Sequence, residues 1–113
     1  MIYKNNQLLF KKVVHHDTRL KMAHGLMFTK KITDTAHVFT FEKPRIADLH
    51  MLFVFYTIDV LCLNADFEVI DMKKNFKPFT FFFGKKSKYV VELPKNSISK
   101  FNIKLKDKIR IKK

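Results

Sequence analysis

Residues 49 to 63 read LHMLFVFYTIDVLCL, an almost unbroken apolar run with one carboxylate, Asp59, near its end. Such a run has to be buried, and a charge inside it is costly unless it is hydrogen-bonded, paired or protonated. With His50 and Asp59 interrupting it, the run is too short to span a bilayer, which takes about 20 apolar residues. It predicts a central strand of a soluble core, bent once near Phe55 to Thr57, because a straight strand of that length is unusual. On the strand Asp59 shares a face with Thr57 and Leu61, while Cys62 points the other way with Ile58 and Val60.

The rest of the chain alternates in short stretches. Gln7 to His15 predicts a first strand, and Asp17 is placed to cap a short helix over Thr18 to His24 that ends at Gly25. HVFTF at 37–41 predicts a strand closed by Glu42-Lys43-Pro44. Asn64-Ala65-Asp66 is a turn leading into Phe67 to Met72, so a β-hairpin is expected there. KYVVEL at 88–93 predicts a strand ended by Pro94, and Ser97 is placed to cap one or two helical turns with Ile98 and Phe101 turned inward. The tail IKLKDKIRIKK alternates, with Ile103, Leu105, Ile109 and Ile111 on one side and basic residues on the other. The expectation is one mainly β domain over 1–113, a small barrel or sandwich (α+β) with two short helices.

Charge is unevenly spread. Residues 73–113 carry 14 Lys and Arg against Glu92 and Asp107, a surplus of +12, whereas residues 1–72 have a surplus of only +1. A positive field of that kind steers anionic partners. The candidate anion-binding residues are Lys85, Lys86, Lys88, Lys104, Lys108 and Arg110. Of 23 basic residues only Arg19, Arg45 and Arg110 are arginine, a bias that an AT-rich genome also produces. Arginine is the better residue for bidentate phosphate or base contacts, so composition alone leans toward a solvated surface. The segment KKNFKPFTFFFGKKSK at 73–88 mixes the lysines and rings with which single-stranded nucleic acid is held. Four Phe in five positions, Phe79 and Phe81 to Phe83, are more simply read as a segment packed on the core.

GLMF at 25–28, IDVLCLNADFEVI at 58–70 and KYVVELP at 88–94, in that order, resemble the family called domain of unknown function 192. The resemblance covers residues 17–111. It implies a compact, mainly β fold with one or two short helices and no assigned activity. Many bacterial members look exported, whereas this chain resembles a cytoplasmic, archaeal-type member. Where the family has a polar Lys-Asn-Thr, this chain has Leu52, Phe53 and Val54. The Gly-Asp turn usual before the last strand corresponds to Lys106-Asp107, which implies a turn within the basic tail.

Several chemistries lack their residues. One cysteine, Cys62, excludes an internal disulfide and a Cys-rich metal site, and inside the apolar run it is expected to be buried and inert. His15, His16, His24, His37 and His50 show none of the usual ligand spacings, so surface or capping roles are expected and no metal or other cofactor is predicted. The N-terminus has no secretory pattern, which points to the cytoplasm. No catalytic motif is present. The leading expectation is a non-enzymatic binding or accessory module with an anionic partner. Its rivals are a single-strand binder acting through 73–88, and a small-ligand or enzymatic domain with a pocket rimmed by Asp59, Arg19, His24 and His50. In that last reading Asp59 exchanges a proton with His24 or His50. In the structural reading it accepts backbone amides or Arg19, and the absence of a nucleophile motif favours this one.

Overall fold

The computed structural model describes residues 1–16, 34–50 and 56–112, with the backbone alone for 47–50. The strands are β1 (Ile2–Lys4), β2 (Gln7–Phe10), β3 (Lys12–His16), β4 (Thr35–His50), β5 (Ile58–Leu63), β6 (Val69–Phe76), β7 (Phe81–Pro94) and β8 (Ile109–Ile111). One short helix, α1 (Ser97–Lys100), follows β7. They form a three-stranded sheet, ordered β2-β1-β8, and a five-stranded sheet, ordered β3-β4-β7-β5-β6. Neither closes into a barrel, so the sandwich-like alternative of the expected fold is the one realised. The expected helix over Thr18 to His24 lies outside the described residues. Among the described residues no helix is long and apolar enough to cross a membrane.

Two apolar clusters follow from strand alternation. Val38, Leu61, Leu63, Val91 and Leu93 of the larger sheet meet Ile2, Phe10, Ile98, Ile103 and Ile109 from the smaller sheet and the α1 region. On the opposite face, Phe39, Phe41, Ile58, Val60, Cys62, Phe76 and Val90 form the second cluster. The apolar run thus yields β5, all of whose residues are buried, with Cys62 on the face predicted for it. Burial pushes the Cys62 thiol up to about 11, partly offset by a hydrogen bond with Ser87, which keeps it protonated.

Asn64 makes the β5–β6 turn. Its side-chain oxygen accepts the amides of Asp66 and Glu68, and Phe67 takes a positive φ of 63°. β5 and β6 are antiparallel, as the hairpin expectation requires. The tail does turn at Lys106-Asp107, where Lys106 has φ 75° and Asp107 accepts the Lys104 amide, so the basic row is broken. Other expectations need correction. The first strand is two, interrupted at Lys11, with β3 turning to lie parallel to β4. β4 does not stop at Pro44. Four residues, Phe41 to Pro44, stand opposite the single Lys88 between the Thr40–Tyr89 and Arg45–Ser87 pairs, so Pro44 sits in a bulge where no ladder amide is needed. Ser97 does not cap α1, because its hydroxyl donates to the Pro94 carbonyl instead.

Asp59 supplies what that helix lacks. Between the Ile58–Phe76 and Val60–Lys73 pairs, β6 carries two residues, Lys74 and Asn75, opposite the single Asp59. Asn75 takes a positive φ of 52° there, and its amide, turned out of the ladder, donates to Asp59 Oδ1 at 3.0 Å. Asp59 Oδ2 accepts the amide of Ile98, in the first turn of α1, at 2.9 Å. The residue is 1% exposed. Asp59→Ala would leave one buried and one part-buried amide unpaired, at about 1–3 kcal/mol for a buried donor. We expect a fall in melting temperature of roughly 10 °C or more, with Asp59→Asn losing less. A shift below about 2 °C in a thermal melt of Asp59→Ala would contradict the structural role.

Candidate functional site

The polar features fall into three groups, and the expected cluster of Asp59, Arg19, His24 and His50 is not one that can be assembled. Arg19 and His24 lie outside the described residues, as does the side chain of His50. Both Asp59 oxygens are engaged by backbone amides.

Sequence spacing does not bring the first group together. Glu92 on β7 stands opposite His37 on β4 and Val60 on β5, and shares the face of Val90 and Phe39. On the parallel neighbour β3, His16 is opposite Phe39 and stacks on its ring, with centroids 4.5 Å apart. His16 Nε2 and His37 Nδ1 are 3.0 Å apart, so one ring donates and the other accepts. The two rings also stack at 5.3 Å. Glu92, His37 and His16 thus belong to one face across three adjacent strands. Among the described residues no three His, Cys, Asp or Glu side chains are placed to hold a metal ion.

Burial keeps two members of this row, Glu92 and His37, neutral. Glu92 is buried, and its Oε2 has no hydrogen-bond partner among the described residues. Burial alone pushes its carboxyl up to about 8. Burial, and then the neighbouring His16, push His37 down to about 4. The signal in the sequence is of the same kind as for Asp59: a carboxylate inside an apolar strand, VVEL at 90–93. It is masked there by Pro94 and the lysines around it, which have the pattern of a strand end at the surface.

The second group is the lysine- and phenylalanine-rich segment. Residues 45–50 of β4 and 81–87 of β7 pair with each other beyond the stretches of these strands that pair with β3 and β5. Gly84 opposite Ala47 and Lys86 opposite Ile46 leave Lys85 as an inserted residue, whose amide donates to Asp71 Oδ2 at 3.1 Å. The register therefore puts Phe81, Phe83, Lys86 and Ile46 on one face. Phe81 is 59% exposed, Phe83 70%, Phe79 60% and Ile46 60%. Phe82 packs inward, edge-on to Phe76. The expectation of a core-covering segment fails for Phe81 and Phe83, because β7 continues past the stretch that the smaller sheet covers. Lys73, Lys74, Lys77, Lys85 and Lys86 are exposed around them. Lys88 is half-buried and donates to the Glu42 carbonyl at 2.8 Å.

The remaining candidates are elsewhere. Lys104 and Lys108 flank the turn before β8, and the backbone of Lys108 forms an isolated antiparallel β-bridge with that of Glu68. The Arg110 guanidinium lies over the Tyr3 ring at 4.8 Å. This group adjoins the opposite end of β6 from Lys73 and Lys74, so the anion-binding candidates do not form one continuous surface.

The neutral Glu92 and His37 give a signed pH dependence. Glu92 loses its proton near 4.5 when unfolded and near 8 when folded, so its contribution to stability is complete below 4.5 and lost as pH rises to 8. His37, depressed from 6.5 to about 4, contributes above 6.5 and loses that contribution as pH falls toward 4. The two oppose each other between 4.5 and 6.5, and from 6.5 to 8 only Glu92 changes. Urea unfolding should show about 2 kcal/mol less stability at pH 8 than at 6.5, and Glu92→Gln should remove the difference. Equal stability at the two pH values in the wild type would contradict a buried, unpaired Glu92.

Comparison with known proteins agrees with the fold. A UPF0127 protein of Thermococcus sibiricus is 33% identical over 95 residues, covering 82% of this chain and 61% of that protein. This chain thus matches under two-thirds of the length of that relative. A UPF0127 protein of Pyrococcus furiosus is 34% identical over 94 residues, covering 82% of this chain and 80% of the relative. Two crystal structures share the fold. One, a protein of unknown function from Novosphingobium aromaticivorans, superposes with a TM-score of 0.83 at 22% identity, over 90% of this chain and 75% of its own. The other, from Sinorhizobium meliloti and described as a "putative transcription regulator", gives 0.81 at 19% identity over 87% and 79%. The family model for domain of unknown function 192, described as "Uncharacterized ACR", matches residues 2–111, and the chain belongs to that family.

Proposed function

We propose that the protein is a non-enzymatic binding module whose partner is single-stranded nucleic acid, held on the β4–β7 extension and the adjoining end of β6. The observation that carries this reading is the exposure of Phe79, Phe81 and Phe83 among five exposed lysines. Exposed phenylalanines cost solubility, and three close in sequence, with Ile46 on the face of Phe81 and Phe83, make a patch of the kind that marks a binding surface. Segment 73–88 contains six lysines and no acidic residue, so the patch is set in positive charge. Rings that stack bases beside ammonium groups that neutralise phosphates are the chemistry of sequence-tolerant single-strand binding. The scarcity of arginine fits sequence tolerance, since base-specific readout relies on the guanidinium fork. The description of the Sinorhizobium structure as a transcription regulator is compatible with this reading but rests on fold similarity alone.

Asp59 gives the rival pocket reading no support, because its carboxylate is closed off by amides. Fluorescence titration with a deoxythymidine oligomer at low salt tests the proposal. Stacking is worth about 1–3 kcal/mol per base, so Phe81→Ala/Phe83→Ala should weaken binding at least tenfold without changing the melting temperature. Lys85→Gln/Lys86→Gln should flatten the salt dependence by roughly 0.7 in log–log slope for each phosphate that is no longer neutralised. Absence of binding at low ionic strength, or equal binding by the double phenylalanine variant, would overturn the reading.

A further inference from the structure

A second basic feature lies away from the β4–β7 extension. Where the Lys11 link between β2 and β3 passes the corner between β7 and α1, the surface opens into a cleft of about 360 Å³. That lies within the range of small-molecule sites, roughly 300–1,000 Å³. Its floor is apolar and rigid. Leu9 and Phe10 are buried, and the Phe101 ring meets Phe10 edge-on with centroids 5.6 Å apart. Its rim carries Lys11, Lys12, Lys95 and Lys100, with Asp34 as the one acidic side chain among the described residues of the lining.

The charges in the cleft are unequal in their engagements. Lys12 is paired with Asp34 at 3.0 Å, and that bond holds the Asp34 carboxyl below its ordinary value. Lys100 Nζ sits over the Phe101 ring, 5.2 Å from its centroid, which stations an ammonium group above the apolar floor. Lys11 and Lys95 have no acidic partner among the described residues. Lys11 from the β2–β3 link and Lys95 and Lys100 from the β7–α1 corner therefore line one concavity, a placement whose mutual repulsion an anion would relieve.

We propose that this cleft binds a small organic phosphate, with the phosphoryl group among Lys11, Lys95 and Lys100 and the organic part on the Phe10–Phe101 floor. Residue type selects phosphate over carboxylate. A planar carboxylate is matched by the fork of a guanidinium, and the lining has none among the described residues, whereas a compact phosphoryl group is neutralised by several point-like ammonium groups at once. The site shares no residue with the proposed nucleic-acid surface, so either assignment stands or falls without the other.

Calorimetric titration of the full chain at low ionic strength tests it, using adenosine monophosphate and phenyl phosphate as probes and adenosine, phenol and inorganic phosphate as references. At least one organic phosphate should bind ten times more tightly than both its dephosphorylated form and inorganic phosphate. Lys95→Gln/Lys100→Gln alters only exposed side chains, and should weaken that binding tenfold or more with an unchanged melting temperature. Lys85→Gln/Lys86→Gln, on the β4–β7 extension, should leave it within twofold. The proposal is overturned if neither organic phosphate exceeds inorganic phosphate, or if the two lysine pairs weaken binding equally.

Discussion

The Asp59 carboxylate joins parts of the fold that no strand ladder connects. One oxygen takes the amide that the bulge at Asn75 turns out of the β5–β6 ladder, and the other takes an amide from the uncapped first turn of α1. A buried carboxylate is costly to desolvate, and these two charge-assisted bonds are what make its burial tolerable. The bulge lies at the start of the lysine- and phenylalanine-rich segment, and the ladder resumes beyond it at Phe76, the last residue of β6. The helix docks Ile98 in the core and leads into Phe101, the floor of the basic cleft. Both proposed binding surfaces are thus aimed from the same buried point.

Glu92 shows the opposite solution to the same problem. Asp59 pairs with Leu93 and Val60 with Glu92, so the two carboxyls stand one position apart on adjoining strands and point to opposite faces. Asp59 has two donors, one on each oxygen. Glu92 has an oxygen with no donor among the described residues, and keeps its proton up to about pH 8 instead. Native proteins seldom leave a buried polar atom unsatisfied, and such atoms gather where chemistry or recognition later uses them. His37 on the same face, kept neutral by burial and hydrogen-bonded to His16, makes this the most unusual electrostatic environment among the described residues.

Local signals in the sequence are readable where local physics decides the outcome. The all-buried β5, the facing of Asp59 and Cys62, the Asn64 turn and the turn at Lys106-Asp107 all follow from alternation and turn chemistry. Features set by distant partners are not readable. β1 lies between β2 and the C-terminal β8, a pairing that spans the whole chain. β4 continues through Pro44 because a bulge absorbs the missing amide. Hydrophobicity alone places Phe81 and Phe83 in the core, yet their exposure depends on how far the smaller sheet extends, which their own segment does not encode. Glu92 is hidden by the same limitation, since only the placement of β4 beside β7 reveals its burial.

Amide hydrogen exchange at Asn75 and Ile98, followed residue by residue by NMR, tests the role of Asp59 most directly. Neither amide belongs to a regular ladder or an interior helical turn, so without the carboxylate both would exchange through local opening. The predicted result is protection of both at a level approaching that of the β5 amides. In Asp59→Asn, whose side chain keeps a single acceptor oxygen, protection should be lost at one of the two positions or both while β5 stays protected. Fast exchange of either amide in the wild type would contradict the account.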